Sequence, residues 1–128
     1  MKHEFILNKR KIIVVAKIKG LEDFKNFKFI IDTGASKTVI DSSVASILGF
    51  DLKKLETEKL MTIGGMTNSK IMKLPKISLF GKDIMNLEVN VLDFSPQITF
   101  FADGLIGTDF LLKFKQLKID FEAKTIEI

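Results

Sequence analysis

Short apolar stretches alternate with turn residues along the whole of this 128-residue chain. The stretch KIIVVAKIK at 11–19 predicts a long strand, and FKFII at 27–31 predicts its hairpin partner. The same pattern predicts further strands over 38–40, 59–63, 67–74, 77–80 and 87–92, and a closing hairpin, QLKIDF and KTIEI, that turns at Glu122-Ala123. Pro75 is expected to separate two of these strands, because proline cannot donate to a strand ladder. The pattern therefore indicates a mainly β protein.

Two short helices are predicted between the strands. SSVASILG follows Asp41 and Ser42, either of which can cap a helix, and Gly49 stands where a helix ends in a left-handed residue. TDFLLKF at 108–114 predicts the second helix, capped by Thr108 or Asp109, after an irregular stretch over 94–103. No linker divides the sequence, so a single domain over residues 1–128 is expected.

Composition narrows the class of protein. Hydrophobic residues make up 46% of the chain, which favours a globular fold over disorder. The chain has no cysteine, which excludes disulfides and thiolate metal sites and suits a cytoplasmic location. No apolar stretch is long enough for a transmembrane helix, so no membrane insertion is expected. Lone His3 has no partner residues for metal binding and is expected at the surface.

The net charge of +4 raises the question of a nucleic-acid partner. The lysines are scattered, Lys9-Arg10-Lys11 being the one short cluster, and Tyr and Trp are absent. No basic–aromatic motif of an RNA-binding sheet is visible. We therefore interpret the charge as a solvated surface and expect no nucleic-acid partner.

The stretch FIIDTGAS at 29–36 carries the candidate chemistry. Ile30 and Ile31 favour a buried strand, and Asp32 then places a carboxylate at its end, where lost hydration must be compensated. Thr33 and Gly34 form a small-residue turn that can hold this carboxylate rigidly for acid–base catalysis. A plain β-turn would use the same residues, so the tripeptide alone is weak evidence. A second signal, GLIG at 104–107, lies far downstream.

Taken together, these segments resemble the retropepsin-like aspartic proteases. FIIDTGAS resembles the family's catalytic loop, and GLIGTDFL at 104–111 resembles its apolar segment followed by a short helix. IGGMT at 63–67 lies between them, where the family has a glycine-containing flap. The order and spacing agree over most of residues 11–128. The resemblance implies a closed, β-barrel-like fold with one or two short helices.

The resemblance also implies the roles of individual residues. Asp32 would be the catalytic carboxylate, and Thr33 and Gly34 would support the catalytic loop. The implied substrate-binding residues are Gly34, Ala35, Ser36, Ile63, Gly64, Gly65, Met66 and Ile106. No metal and no cofactor is implied.

The chain has one D-T-G and no internal repeat, whereas pepsin-type proteases carry two such motifs. By resemblance it would act as a homodimer in which two Asp32 carboxylates activate a water that hydrolyses an extended peptide or protein substrate. The alternatives are a non-catalytic peptide-binding module of the same fold and, suggested by the charge alone, a nucleic-acid-associated protein. The sequence departs from retroviral proteases at Ser36 and Thr108, where those enzymes usually pair an acid with an arginine.

Overall fold

The computed structural model describes residues 1–128 and consists mainly of strands. The eleven strands are β1 (Lys2–Glu4), β2 (Ile6–Asn8), β3 (Lys11–Lys19), β4 (Phe24–Ile31), β5 (Val39–Asp41), β6 (Glu56–Thr62), β7 (Gly65–Leu79), β8 (Lys82–Leu92), β9 (Gly104–Ile106), β10 (Lys118–Asp120) and β11 (Thr125–Glu127). The helices are α1 (Ser42–Ile47), α2 (Pro96–Thr99) and α3 (Thr108–Leu111), with a 3₁₀ turn at Leu52–Lys54. The prediction of a mainly β protein with short helices is confirmed.

Eight strands form one sheet in the order β2-β3-β4-β9-β5-β8-β7-β6, and β3 also pairs with β7. That second pairing joins Lys17–Lys19 to Lys76–Ser78 and closes the strands from β3 to β7 into a ring. Alternate residues of β3, such as Ala16 and Ile18, are buried inside the ring, while Val15 and Lys17 face outward. The expected closed, barrel-like fold is confirmed.

β9 lies between β4 and β5 and brings distant parts of the chain together. It pairs in parallel with β4, where Ile31 is opposite Ile106, and antiparallel with β5. The end of β4 and the end of β9 therefore meet at one edge of the ring. This topology places the D-T-G turn beside the Gly-Leu-Ile-Gly segment.

Helix α1 closes one side of the core. The Asp41 side chain accepts a hydrogen bond from the Ser43 amide and caps the helix, and Gly49 follows its end with φ of 97°. Val44 and Ala45 face the core, which Phe29, Phe110 and other apolar side chains fill. Both end signals predicted for this helix are confirmed.

The two ends of the chain form a separate three-stranded sheet in the order β1-β11-β10. Lys2 pairs with Glu127, and the Phe5 amide donates to the Lys124 carbonyl at 3.0 Å. The terminal hairpin was predicted, but β1 and β2 were not. His3, expected at the surface, is instead half-buried: its ring stacks on Phe80 at 4.7 Å, and its Nε2 is buried without a hydrogen-bond partner.

Two predictions about the segments between the strands need correction. β7 runs through Pro75 without a break, because the proline lies between the end of the β6 pairing at Ile71 and the start of the β3 pairing at Lys76. Position 75 pairs with neither β6 nor β3, so the missing N–H of the proline breaks no ladder hydrogen bond to these two strands. The stretch 94–103, expected to be irregular, contains α2, which starts with a proline at its first position.

The second predicted helix is shorter than expected and has no side-chain cap. It ends at Leu111, after which the amides of Lys113 and Phe114 bond to carbonyls three residues back, as in a 3₁₀ turn. The N-cap position is Gly107, so neither Thr108 nor Asp109 caps the helix. Asp109 has a different partner, described below.

Candidate functional site

Asp32 follows directly after β4, in a loop fixed by backbone hydrogen bonds. Its amide donates to the Ile106 carbonyl at 2.9 Å, and its carbonyl accepts from the Ala35 amide at 3.2 Å. The Gly34 amide donates to Asp32 Oδ1 at 2.9 Å. The carboxylate is half-buried, and this backbone N–H compensates part of its lost hydration. The other carboxylate oxygen accepts no hydrogen bond within the chain and is available for chemistry.

The residues around Asp32 differ in what they can contact. Thr33, Gly34 and Ser36 are exposed, and the Thr33 hydroxyl makes no hydrogen bond within the chain. A Cβ at Gly34 would lie 3.3 Å from Asp32 Oδ1, so the glycine allows the turn to fold tightly over the carboxylate. Ile106 is fully buried and bonded to the Asp32 amide, so we place it beneath the loop rather than in the substrate cleft.

The segment after β9 packs backbone to backbone against the catalytic loop. A Cβ at Gly107 would lie 2.7 Å from the carbonyl atoms of Lys37, so only glycine fits there. The Thr108 amide and hydroxyl donate to the Ala35 carbonyl at 2.8 and 3.3 Å. Thr108 therefore braces the loop from a position where retroviral proteases usually have an arginine.

Thr38 and Asp109 complete this bracing and were missed as site residues. The Thr38 amide and hydroxyl donate to the two oxygens of the Asp109 carboxylate at 3.0 and 2.8 Å. The Thr38 hydroxyl also accepts from the Gly107 amide at 3.2 Å. Asp109, expected as a helix cap, thus clamps the end of the catalytic loop. No local sequence signal could have found a pair that lies 71 residues apart.

The flap predicted at 63–67 is a β-hairpin formed by β6 and the first part of β7. Thr62 pairs with Gly65, so Ile63 and Gly64 form the two-residue tip, and the Thr62 hydroxyl donates to the Gly65 carbonyl at 2.8 Å. Gly65 has φ of 110°, which favours glycine. Ile63 and Met66 are exposed, and no hydrogen bond joins the tip to the catalytic loop.

A polar cluster lies where the base of the flap approaches the catalytic loop. The Lys37 ammonium is 3.4 Å from Glu58 Oε1 and 3.1 Å from Glu88 Oε1. The fully buried Asn90 donates its amide to Glu58 Oε1 at 2.9 Å and to Ser69 Oγ at 2.7 Å. These residues were also missed, because their charges look like ordinary surface charges in the sequence.

The cluster fixes the charge of its members. Burial by itself would lower the pKa of Lys37, but the hydrogen bond to Glu88 and the charge of Glu58 outweigh it and raise the pKa above its ordinary value. The hydrogen bond from Asn90 and the nearby Lys37 ammonium hold the pKa of Glu58 below its ordinary value. Both groups therefore stay charged through the neutral range.

The two described concavities of the chain do not include Asp32. Two concavities of about 250 and 500 Å³ lie away from Asp32: one is lined by Ser42, Lys70 and Asp93, the other by Val15 and Phe100. No group of three His, Cys, Asp or Glu side chains is arranged to hold a metal ion. None of the helices has the length and apolar character to cross a bilayer.

Sequence comparison decides the family. The profile described as Aspartyl protease matches residues 14–110, a range that includes Asp32, the flap and the Gly107 segment. The chain belongs to the aspartyl protease family. No curated protein matches the sequence closely enough to be counted as similar.

Two solved structures, both of proteases, share this fold. A retropepsin-like aspartic protease from Rickettsia conorii superposes with a TM-score of 0.74 at 25% identity, covering 98% of this chain and 88% of the other. The EIAV protease in complex with the inhibitor HBY-793 superposes with a TM-score of 0.59 at 20% identity, covering 82% and 88% of the two chains. The retropepsin-like fold expected of this aspartyl protease family member is therefore confirmed.

Proposed function

We propose that the protein is an aspartic endopeptidase that works as a homodimer, with one Asp32 carboxylate from each chain. The observation that carries this proposal is that one chain offers half of the required site. Hydrogen bonds hold Asp32 in place and leave one of its carboxylate oxygens free. No second carboxylate of the same chain shares a hydrogen bond with Asp32. The Asp109 carboxylate, which follows the Gly107 segment, already accepts hydrogen bonds from Thr38 and from the Phe110 amide, the latter at 2.8 Å.

The mechanism follows from a pair of carboxylates that share one proton, as is known for aspartic proteases. The ionised Asp32 takes a proton from a water, which attacks the carbonyl carbon of the scissile peptide bond. The protonated Asp32 of the second chain donates its proton to the carbonyl oxygen, which gives a neutral tetrahedral diol. Collapse of the diol breaks the C–N bond: the ionised carboxylate takes the proton of one diol hydroxyl as the new C=O forms, and the proton of the other carboxyl passes to the leaving nitrogen.

Loop geometry supports these roles for Asp32 and its neighbours. The hydrogen bond from the Gly34 amide holds one carboxylate oxygen, so the other faces the reacting water. We propose that the Thr33 hydroxyl, which is exposed and unpartnered within one chain, bonds to the second loop across a twofold axis. We assign Ala35 and Ser36 to the adjacent subsites.

The structure of the flap is consistent with an extended peptide as the substrate. Ile63 and Met66 are exposed apolar side chains at the end of the β6–β7 hairpin, which fits a segment that closes over a ligand. We propose that Gly64 and Gly65 offer backbone groups to a peptide bound as an added strand. A cytoplasmic location stays a prediction from the sequence.

Incubation with a diverse peptide library, read by mass spectrometry, tests this proposal. The wild-type protein should cleave a subset of peptides, and Asp32→Asn, which keeps the side-chain shape, should cleave none. The matched control is Asp23→Asn, because Asp23 is an exposed turn residue just before β4, at the opposite end of that strand from Asp32. Cleavage by Asp32→Asn at the wild-type rate would refute the assignment. Peptide binding without cleavage by the wild type would favour the binding-module alternative.

A further inference from the structure

The flap is attached to the rest of the molecule along one strand only. β6 is the edge strand of the sheet and pairs with β7 alone, from Glu56 opposite Ile71 to Thr62 opposite Gly65. Five of its seven residues are exposed, so apolar packing contributes little to its orientation. Beyond the backbone pairing of β7 with β8, side-chain contacts of β6 outside the hairpin can therefore influence where it stands relative to Asp32.

Glu58 is the residue of β6 that reaches outside the hairpin. Its Oε1 accepts hydrogen bonds from Asn90 Nδ2 on β8 at 2.9 Å and from Lys37 Nζ at 3.4 Å. No other β6 side chain hydrogen-bonds to a residue beyond the hairpin. The Glu58 side chain is 34% exposed, so its charge interactions are only partly screened by water.

The partners of Glu58 are themselves tied to the catalytic loop. Lys37 lies between Asp32 and the Thr38 clamp, and its carbonyl is packed against Gly107. Asn90 is fully buried, and its backbone amide donates to the Thr38 carbonyl at 3.2 Å. The network therefore runs from the flap, through two fixed anchors, into the loop that carries Asp32.

We propose that Lys37 and Glu58 are positioning residues that hold the flap at a defined angle to the catalytic loop. This inference rests on the proposed function, since a defined flap angle matters for closing over a substrate. Neither side chain touches the reacting atoms. Their pairing limits the orientations of the hairpin in the free protein. The flap therefore loses less conformational entropy when a substrate binds. Without it, substrate binding weakens while the Asp32 chemistry is kept.

The test compares Lys37→Met, which keeps most of the apolar stem but removes the ammonium, Glu58→Gln, which keeps the side-chain shape but removes the charge, and the double variant. The control is Lys76→Met, which breaks a pair of similar exposure, Lys76–Asp83 at 3.2 Å, between β7 and β8 outside the flap. In ¹⁵N relaxation measurements on the free protein, backbone order parameters of residues 59–67 should fall from about 0.8 to about 0.6 in both single variants. They should stay at the wild-type value in Lys76→Met.

Kinetics with a cleaved peptide should separate binding from chemistry. KM should rise about three- to tenfold in Lys37→Met and Glu58→Gln, with kcat within about twofold of the wild type. The double variant should resemble the single ones, because both remove the same interaction. In Lys37→Arg, which keeps the charge, KM should stay close to the wild-type value. A role in stability alone would not give this split or this rescue.

Each result distinguishes this inference from the proposed function. Unchanged flap order in both single variants, or equal loosening in Lys76→Met, would overturn the positioning role even if Asp32-dependent cleavage is found. Loosening of residues 59–67 in both single variants, with order kept in Lys76→Met, supports the flap attachment even if no peptide is cleaved. In that case the failure lies with the proposed protease activity.

Discussion

Replacing Thr38 by valine removes one hydroxyl and leaves the shape of the side chain almost unchanged. That hydroxyl has two partners: it donates to Asp109 Oδ1 at 2.8 Å and accepts from the Gly107 amide at 3.2 Å. Thr38 is completely buried, so water cannot replace either bond. The valine variant therefore leaves a buried N–H without an acceptor and a carboxylate with one donor fewer.

The expected loss of unfolding free energy is about 3 kcal/mol, because an orphaned buried group and a lost bond to a charged group each contribute about 1–3 kcal/mol and the added methyl offsets part. This is a large share of the roughly 5–15 kcal/mol that stabilises an ordinary domain. The catalytic loop should also lose its fixed position, so kcat should fall about tenfold or more.

Urea denaturation at fixed protein concentration measures the stability change, and steady-state kinetics measures the second effect. Thr99→Val is the matched control, because Thr99 is exposed and its hydroxyl only approaches the Ser95 and Pro96 carbonyls at 3.5 and 3.3 Å. A Thr38→Val loss below about 0.5 kcal/mol, no larger than an ordinary surface change, would refute the argument that this clamp holds the loop.

Four further outcomes are expected. Gly107→Ala should lower the unfolding free energy by about 1–3 kcal/mol in urea, because the new Cβ meets the Lys37 carbonyl at 2.7 Å; an unchanged value would contradict the close packing. Gly65→Val should reduce turnover more than thermal stability, because φ of 110° resists a β-branched residue although no atom lies within 4 Å; unchanged kinetics on several peptides would show that the flap is not a lid. Activity should fall more steeply than protein concentration on dilution, and strict proportionality where sedimentation shows monomer would exclude the shared site. Asp41→Asn should lower stability by about 1–2 kcal/mol at neutral pH, a difference that should shrink in acid and that urea titrations at several pH values would measure.

The sign of the Asp41 effect follows from its surroundings. Burial alone would raise the pKa of this carboxyl, but hydrogen bonds from Ser43 and the Phe94 amide outweigh it and hold the pKa below the ordinary value of 3.8. A lowered folded-state pKa gives stability that is complete above the unfolded-state value and is lost as the pH falls through the folded-state value. A difference that stays constant down to strongly acid pH would contradict this cause.

Local signals in the sequence predicted those parts of the fold that depend on neighbouring residues. The alternation in KIIVVAKIK, the Asp41 cap and Gly49 each act within a few residues, and each is found where it was expected. The Phe80-Gly81 turn between β7 and β8 also depends on neighbouring residues, because both have positive φ, which suits a two-residue hairpin. Short-range chemistry of this kind can be predicted without a structure.

Features that depend on distant residues could not be predicted in this way. The Thr38–Asp109 clamp and the Lys37–Glu58 pair join charges and hydroxyls that have no pattern in the sequence, and a helix cap was the simplest role for Asp109. β1 was missed because its partner, β11, lies at the other end of the chain. The strand break predicted at Pro75 was wrong for a similar reason, because the proline is tolerated in β7 only where the pairings with two other strands end and begin.

The pairing of distant strands also determines when the protein can fold during its own synthesis. The Asp32 loop is finished early, yet the groups that hold it, Ile106, Gly107 and Asp109, are among the later residues, with Asp109 71 positions after Thr38. At about 5–20 residues per second, a ribosome needs roughly 4–14 s to cover that distance. β1 waits longer still, until Thr125–Glu127 are available. The catalytic loop therefore remains unbraced on the nascent chain until the segment that contains Gly107 and Asp109 has been made.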